Sequence, residues 1–247
     1  MSHPIPNDSR ESQSPMTVPK AVFFDAGNTL LFINPRFVLP IFRDAGAPAA
    51  EEDFWKAELE ARANLTHLVE DGGTGTEPRI WQEYFLALFR GCGVPEDEIE
   101  GVGQRVMEVH RKSHLWTWVN PTTPQALQSL RAQGYRLAVI SNADGRVEGL
   151  LETGGIRSHF EFVMDSALEG VEKPSAEIFH RAVRRMNLEP EEALYVGDLY
   201  SVDVVGARGA GMEAVLLDPL DRLDYPVPRI PDVGRLPDYL ERVSSRT

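Results

Sequence analysis

The rhythm of hydrophobic and polar positions changes twice along the chain. It opens with an unbroken apolar run, Ala21-Val22-Phe23-Phe24, that ends on Asp25. A short run of this kind, bounded by turn residues, reads as a strand buried on both faces, and it is expected over residues 20–25. Residues 26–34 read as a turn and a short extended piece, closed by Pro35. From 35 to 117 the period becomes helical. Phe54, Leu59, Leu65 and Leu68 recur among charged residues, and Ile80, Trp81, Tyr84, Phe85, Leu88 and Phe89 mark one helical face. The run Asp71-Gly72-Gly73-Thr74-Gly75-Thr76 separates these two helices as a loop. A third helix is expected over residues 96–114. Nothing in this block has the pattern of a strand.

Beyond Pro121 the two periods alternate. Helices are expected at 124–133, with Thr123 as N-cap, and at 147–153, 175–187, 203–210 and 236–243. Strands are expected at 135–140, 160–164, 193–196 and 213–217, and the stretch after Asp218 reads as Pro-rich loop. Strands alternating with helices predict an α/β fold with a Rossmann-like, doubly wound parallel sheet. The helical block interrupts it after the first strand. The expected division is a disordered tail at 1–18, a core formed by 19–34 and 118–247, and a helical domain at 35–117.

Bulk properties narrow the function. The 247 residues carry 38 Asp and Glu against 25 Lys and Arg, a net charge of −13. Such a surface repels nucleic acid and anionic lipid, so neither is an expected partner. No apolar run approaches the roughly 20 residues of a membrane span. Cys92 is the single cysteine, so no internal disulfide forms, which suits a cytoplasmic location. Nothing in the pattern specifies an oligomeric state. An acidic protein that handles an anionic substrate needs a local positive site.

In a doubly wound sheet, ligands bind beyond the carboxyl ends of the strands. There the sequence sets Asp25, then Ser141 and Asn142, then Asp165, Ser166 and Lys173-Pro174, then Gly197-Asp198 with Asp203. This set suits phosphoryl transfer. Asp25 and Asp198 are candidate ligands of Mg²⁺, a hard cation that prefers oxygen. Asp25 is a candidate nucleophile, and Ser141 and Lys173 are candidates to hold the phosphoryl oxygens. Other groups read as structural. Asp144 is expected to cap a helix, and the four Trp residues to pack. His110 and His114 have the i, i+4 spacing of a metal pair, but no third ligand is evident. Residues 72–76 lack the Lys that a phosphate-binding loop needs.

Four segments together resemble the haloacid dehalogenase superfamily of hydrolases: Phe24-Asp25-Ala26-Gly27-Asn28-Thr29-Leu30, Ile140-Ser141-Asn142, Lys173-Pro174, and Val196-Gly197-Asp198 with Asp203 five residues on. The resemblance spans residues 20–217. It implies a helical cap inserted after the first motif. It implies Asp25 as nucleophile and Mg²⁺ ligand, Ser141 with Asn142 as phosphoryl binders, Lys173 as charge stabiliser, Asp198 as metal ligand, Asp203 as support for the metal, and Thr29 as a phosphate-pocket hydroxyl. One position departs. Phosphatases of the superfamily carry an acid two residues after the nucleophile, and here that residue is Gly27. Its carbonyl can still meet a metal, but it has no side chain to protonate a leaving alkoxide, help worth roughly 10²–10⁴-fold. The substrate then has a good leaving group, or another residue (His67, Glu70, Asp71 or Glu83) supplies the proton, or turnover is slow. The expected function is a Mg²⁺-dependent hydrolase of a small phosphorylated metabolite working through an aspartyl-phosphate. The alternatives are a metal-independent 2-haloacid dehalogenase and a catalytically weak ligand-binding module.

Overall fold

A computed structural model describes residues 18–48, 50–69 and 74–245, so the expected tail lies, except for Val18, outside the described residues. Strand β1 (Ala21–Phe24) leads through a turn to the short β2 (Phe32–Ile33). Four helices follow: α1 (Pro35–Asp44), α2 (Glu51–Val69), α3 (Pro78–Gly91) and α4 (Ile99–Ser113). The chain returns through β3 (Trp116–Trp118), which pairs antiparallel with β2. Then come α5 (Thr123–Ala132), β4 (Arg136–Ser141), α6 (Val147–Thr153), β5 (Val163–Asp165), α7 (Ser166–Glu169) and α8 (Ala176–Arg185). The last elements are β6 (Ala193–Gly197), α9 (Val205–Gly209), β7 (Glu213–Leu217), β8 (Arg229–Ile230) and α10 (Leu236–Ser244). No described helix is long and apolar enough to cross a membrane.

Six strands form one parallel sheet in the order β5-β4-β1-β6-β7-β8, the α/β architecture expected from the alternation. β1 lies inside it and is buried at every position, which is why its sequence is continuously apolar rather than alternating. Its alternate residues feed two cores. Val22 and Phe24 pack with Leu127, Leu151 and Leu236 on one face, while Ala21 and Phe23 pack with Ile178, Phe179 and Ala207 on the other. The register sets the site. Phe24 pairs with Val139 of β4 and Val196 of β6, so the three central strands end level, with Asp25, Ser141 and Asp198 at one edge.

The four helices bury a separate core that includes Phe42, Phe54, Leu65, Leu88 and Val102. Their entry and exit are tied together: Asn34 donates from its backbone to the Leu115 carbonyl at 2.9 Å and from Nδ2 to Thr117 Oγ1 at 3.2 Å. A buried polar network links this block to the sheet. Glu58, fully buried, accepts from Arg62 Nη2 at 3.2 Å and from the Tyr84 hydroxyl at 3.3 Å. Arg62 Nη1 donates to the Asn28 carbonyl, in the turn after β1, at 3.1 Å.

Several local expectations are corrected. The helical stretch opens with α1, a helix not expected there because Pro35 reads as closing the extended piece before it; Pro35 instead starts the helix, where its missing N–H is harmless. β3 is a strand where none was expected, recruited by pairing with β2 rather than by its own pattern. Thr123 is the first residue of α5, not its cap, and Thr122 precedes it without a side-chain capping bond. β5 starts at Val163, because Phe160 and Phe162 pack as loop residues into the two cores. The stretch after Asp218 contains β8, a two-residue edge strand too short to leave a periodic signal. The helix expected at 203–210 begins as a π-helical turn, Tyr200–Val204.

Two outcomes follow from this packing. Glu58→Ala should strand the buried Arg62 charge and lower unfolding stability by about 3–5 kcal/mol in urea titrations; a midpoint equal to the parent's would show that the pair carries no such weight. Burial pushes the Cys92 thiol up to about 12, with Asp53 adding to the effect. A disulfide reagent at about pH 8 should therefore label the native protein at least roughly 1,000-fold more slowly than the urea-unfolded chain, and equal rates would contradict the burial.

Candidate active site

Asp25 is held at the end of β1 by its backbone N–H, which donates to the Val196 carbonyl at 2.9 Å. The chain then turns sharply. Leu30 and Leu31 both donate to the Ala26 carbonyl, at 2.9 and 2.8 Å, and Asn28 takes a left-handed conformation with φ of 56°, which Asn tolerates better than most residues. A Cβ added at Gly27 would meet nothing within 4 Å. Across the sheet edge, Asp198 follows β6 and the π-helical turn brings Asp203 back beneath it. Asp203 Oδ2 accepts the Leu199 N–H at 2.9 Å, and a Cβ on Gly197 would lie 2.3 Å from that same oxygen. Only glycine at 197 lets Asp203 approach so closely.

Lys173 joins these pieces. Its ammonium, 2% exposed, donates to Asp25 Oδ1 at 2.7 Å, Asp203 Oδ1 at 2.7 Å and the Tyr195 hydroxyl at 2.9 Å. The Tyr195 hydroxyl in turn donates a hydrogen bond to the Ile140 carbonyl at 2.8 Å. Burial by itself would lower the Lys173 pKa, but Asp203 and then Asp25 outweigh it and hold the ammonium above its usual range. The same burial raises Asp25 to about 6, against the pull of Lys173 and with a push from Asp203. Asp198 is raised well above the carboxylate range, by burial first and then by Asp203 and Asp25. One oxygen from each of Asp25, Asp198 and Asp203 lies within 4.8 Å of the others, and Asp198 Oδ2 is buried without a hydrogen-bond partner. Three buried carboxylates thus share one ammonium. The donor set is all oxygen and lacks positive charge, which fits a hard divalent cation.

The other expected residues divide. Ser141 is buried beside Asp25 at the end of β4 and lines the same space. Asn142 is occupied elsewhere: its Oδ1 accepts the Lys173 N–H at 2.8 Å, and its Nδ2 donates to the Lys173 and Thr74 carbonyls at 2.8 and 3.2 Å. It positions the lysine loop. Thr29 points its hydroxyl at Asp198 Oδ1, 3.5 Å away, rather than into the open space. Asp165, not Asp144, serves the start of α6, accepting from Gly145 and Val147 N–H at 2.9 and 3.4 Å. Asp144 instead pairs with Arg146 at 2.5 Å and completes a trio with His110 and His114, the third ligand that spacing alone left missing. Arg146 Nη2 stands 3.5 Å from His110 Nε2, so a guanidinium already fills the cation's place there.

Between the sheet edge and the helices lies a chamber of about 930 Å³. Asp25, Gly27, Ser141, Lys173 and Asp198 form its floor, and Trp81, Phe85 and Trp116 stand on its walls. The sequence reading assigned these aromatics to packing; a half-buried aromatic that lines a cavity has the same helical spacing as one in a core. Of the expected proton donors, Glu83 lines the chamber, His67 is exposed on α2 outside it, and Glu70 and Asp71 lie outside the described residues. Three residues that the motifs did not flag connect the helices to the floor. Arg62 holds the Asn28 carbonyl, Trp116 Nε1 donates to Asn28 Oδ1 at 3.0 Å, and Thr66 Oγ1 donates to the Asp198 carbonyl at 3.4 Å.

Comparison with known proteins agrees with this geometry. A human protein, haloacid dehalogenase-like hydrolase domain-containing protein 3, is 35% identical over 181 residues, covering 70% of this chain and 71% of its own. A glyceraldehyde 3-phosphate phosphatase of Methanothermobacter thermautotrophicus is 29% identical over 238 residues, 90% of this chain and 99% of its own. The solved structure of a 2-haloacid dehalogenase from Pseudomonas syringae pv. Tomato shares the fold with a TM-score of 0.55, at 24% identity over 91% of this chain and 99% of its own. The family model of the haloacid dehalogenase-like hydrolases matches residues 19–211, and the chain is a hydrolase that belongs to that family.

Proposed function

We propose that the chain is a Mg²⁺-dependent phosphatase working through an aspartyl-phosphate at Asp25, with residues 35–117 as a cap over a core formed by 19–34 and 118–247. The observation that carries this reading is the buried, unpartnered Oδ2 of Asp198 beside Asp25 and Asp203. Asp25, Asp198 and the Gly27 carbonyl would hold the ion. Asp203 supports from behind, since both its oxygens are already engaged. When bound, Mg²⁺ would offset the repulsion between these carboxylates and an anionic ester and favour the ionised form of Asp25. The Asp25 carboxylate then attacks phosphorus, with the Ser141 hydroxyl binding a phosphoryl oxygen and the Lys173 ammonium stabilising by its charge the negative charge that spreads in the transition state. Water cleaves the resulting acyl phosphate and Asp25 leaves as a carboxylate. The phosphatase named among the relatives supports a small phosphorylated molecule as substrate.

A second reading has one observation in its favour. Gly27 supplies no acid, and displacement of halide by Asp25 needs none. Against it stands Asp198, whose buried Oδ2 has no hydrogen-bond partner and no task in a metal-free displacement of halide. The two separate in one experiment. Phosphate release from p-nitrophenyl phosphate should require Mg²⁺ and stop with EDTA, whereas EDTA-resistant halide release from 2-chloropropionate would replace the phosphatase by the dehalogenase. Asp25→Asn should lower phosphate release by at least roughly 10³-fold while the variant stays folded by circular dichroism, on the scale of other deleted nucleophiles. Saturable phosphate-ester binding with no turnover by the parent would favour a binding module.

The ion also leaves a thermal signature. The pKa of Asp25 rises from 3.8 unfolded to about 6 folded, and Asp198 moves the same way. Between these values the ion-free native state holds protons that the unfolded chain has lost, so its stability falls as pH rises through this window. Mg²⁺ binds the ionised carboxylates, so its stabilisation grows over the same range. Millimolar Mg²⁺ should therefore raise Tm more at about pH 7.5 than at about pH 5. Asp198→Asn should raise Tm in EDTA and abolish the Mg²⁺ gain; a gain that survives the substitution would remove Asp198 from the ligand set.

A further inference from the structure

We infer, on the phosphatase reading, that the substrate is the phosphate ester of a bulky aromatic hydroxyl, a phenolic phosphate whose ring system lies against Trp81, Phe85 and Trp116. Two independent observations converge on it.

The first is the floor of the chamber. Expulsion of an alkoxide, nearly as basic as hydroxide, needs a proton, whereas a phenolate of pKa about 10 leaves without one. Among the described residues, no side chain of the floor is placed to give a proton, since the Ser141 hydroxyl is committed to the phosphoryl oxygens. Asp25 is the nucleophile, and Asp198 holding an ion carries no proton. The Lys173 ammonium already spends its three N–H groups on Asp25, Asp203 and the Tyr195 hydroxyl. Gly27 offers only backbone, with open space around it. From the walls, His110 and His114 are shifted down by burial, His114 to about 4 with His110 and Arg146 adding to it, so neither is a reservoir of protons near neutrality. Glu83 and Glu100 occupy solvent-exposed positions.

The second observation is the chamber itself. At about 930 Å³ it stands at the upper end of the roughly 300–1,000 Å³ common for small-molecule pockets. A three-carbon phosphate would leave most of it to water. Trp81 and Trp116 meet edge-on at 5.2 Å and Phe85 approaches Trp116 at 6.3 Å, and all three keep partly exposed faces. Phe85 and Trp81 belong to α3, and Met107, 44% exposed, adds an apolar side chain from α4. Leaving-group chemistry admits aryl and acyl phosphates; the size and aromatic walls select the aryl class. Asp25 Oδ attacks phosphorus, the ester P–O bond breaks with its electron pair to the phenolic oxygen, and water then returns Asp25 and inorganic phosphate.

The test is a leaving-group series with the Mg²⁺-loaded enzyme: 1-naphthyl, phenyl and p-nitrophenyl phosphates, acetyl phosphate and glyceraldehyde 3-phosphate. The expected kcat/KM for 1-naphthyl phosphate exceeds that for glyceraldehyde 3-phosphate by at least roughly 10³-fold, the scale of missing acid help, and exceeds that for phenyl phosphate by roughly 10-fold. Phe85→Ala should lower kcat/KM for 1-naphthyl phosphate more than for phenyl phosphate and so erase the naphthyl-over-phenyl preference; an equal loss on both esters would take Phe85 out of the ring site. Gly27→Asp, which has room for its side chain, should raise turnover of the alkyl ester and flatten the dependence on leaving-group pKa. Glyceraldehyde 3-phosphate or acetyl phosphate turned over as well as the naphthyl ester overturns the inference and leaves the phosphatase reading standing. Release of phosphate from none of them overturns both.

Discussion

The burial of Lys173 among carboxylates is the constraint on which the rest of this structure depends. An ammonium and a carboxylate removed from water lose several kcal/mol each of hydration, and only close pairing returns it. Lys173 has that pairing twice, with Asp25 and Asp203, and Tyr195 takes its third proton site. For this to occur, β1, β6 and the loop before α8 must meet at one sheet edge. The register of β1 with β4 and β6 achieves it, Asn142 fixes the lysine backbone from both sides, and the absence of a Cβ at Gly197 lets Asp203 in. One ammonium does not balance three carboxylates. Burial first, and then the charge of Asp203 and Asp25, leaves Asp198 raised, and one of its oxygens has no partner. On the proposed reading, this imbalance is what a bound cation would relieve.

That charge arrangement was legible in the sequence because each member sits at a strand end or within a short segment whose chemistry is local. Asp25, Ser141, Lys173 and Asp198 could be placed on one edge from the strand–helix alternation alone. What the sequence concealed depends on contacts between distant segments. Asn142 is in a motif, yet whether its amide faces a ligand or the chain depends on where the Lys173 loop runs. Asp144 looked like a helix cap because it precedes a helix, but Asp165, from another strand, takes that task and frees Asp144 for Arg146. The sheet's edge strand β8 and the β2–β3 pair are two or three residues each and owe their existence to partners, not propensity.

The helical block shows the same division more sharply. The apolar faces of α2 and α3 could be read from periodicity, whereas α1 could not. Which aromatic residues face the chamber could not, since Trp81 and Tyr84 lie three apart on one helix, the one half-buried on the chamber wall and the other buried in the core. The block is also chemically joined to the floor. Asn28 lies three residues from Asp25; its carbonyl is held by Arg62 and its side chain by Trp116, while Thr66 reaches the Asp198 carbonyl. The loops after β1 and β6 are therefore both braced by side chains from α2. A displacement of the block would release the backbone around Asp25 and Asp198 as well as open the chamber.

This bracing bears on the empty space at Gly27. In a site whose acid sits on the loop after β1, the helices need only shut out water. Here they reach the same loop, stiffen it through Asn28, and surround the space beyond it with apolar and aromatic side chains. Such walls lower the local dielectric and strengthen the interaction of Lys173 and a bound cation with a phosphoryl group. They do nothing to stabilise an alkoxide forming beside them, and an apolar surrounding makes that charge more costly still. A delocalised phenolate carries less charge on its oxygen and offers the walls an apolar face. The features that make the chamber unsuitable for one class of leaving group are the same ones that suit it to the other.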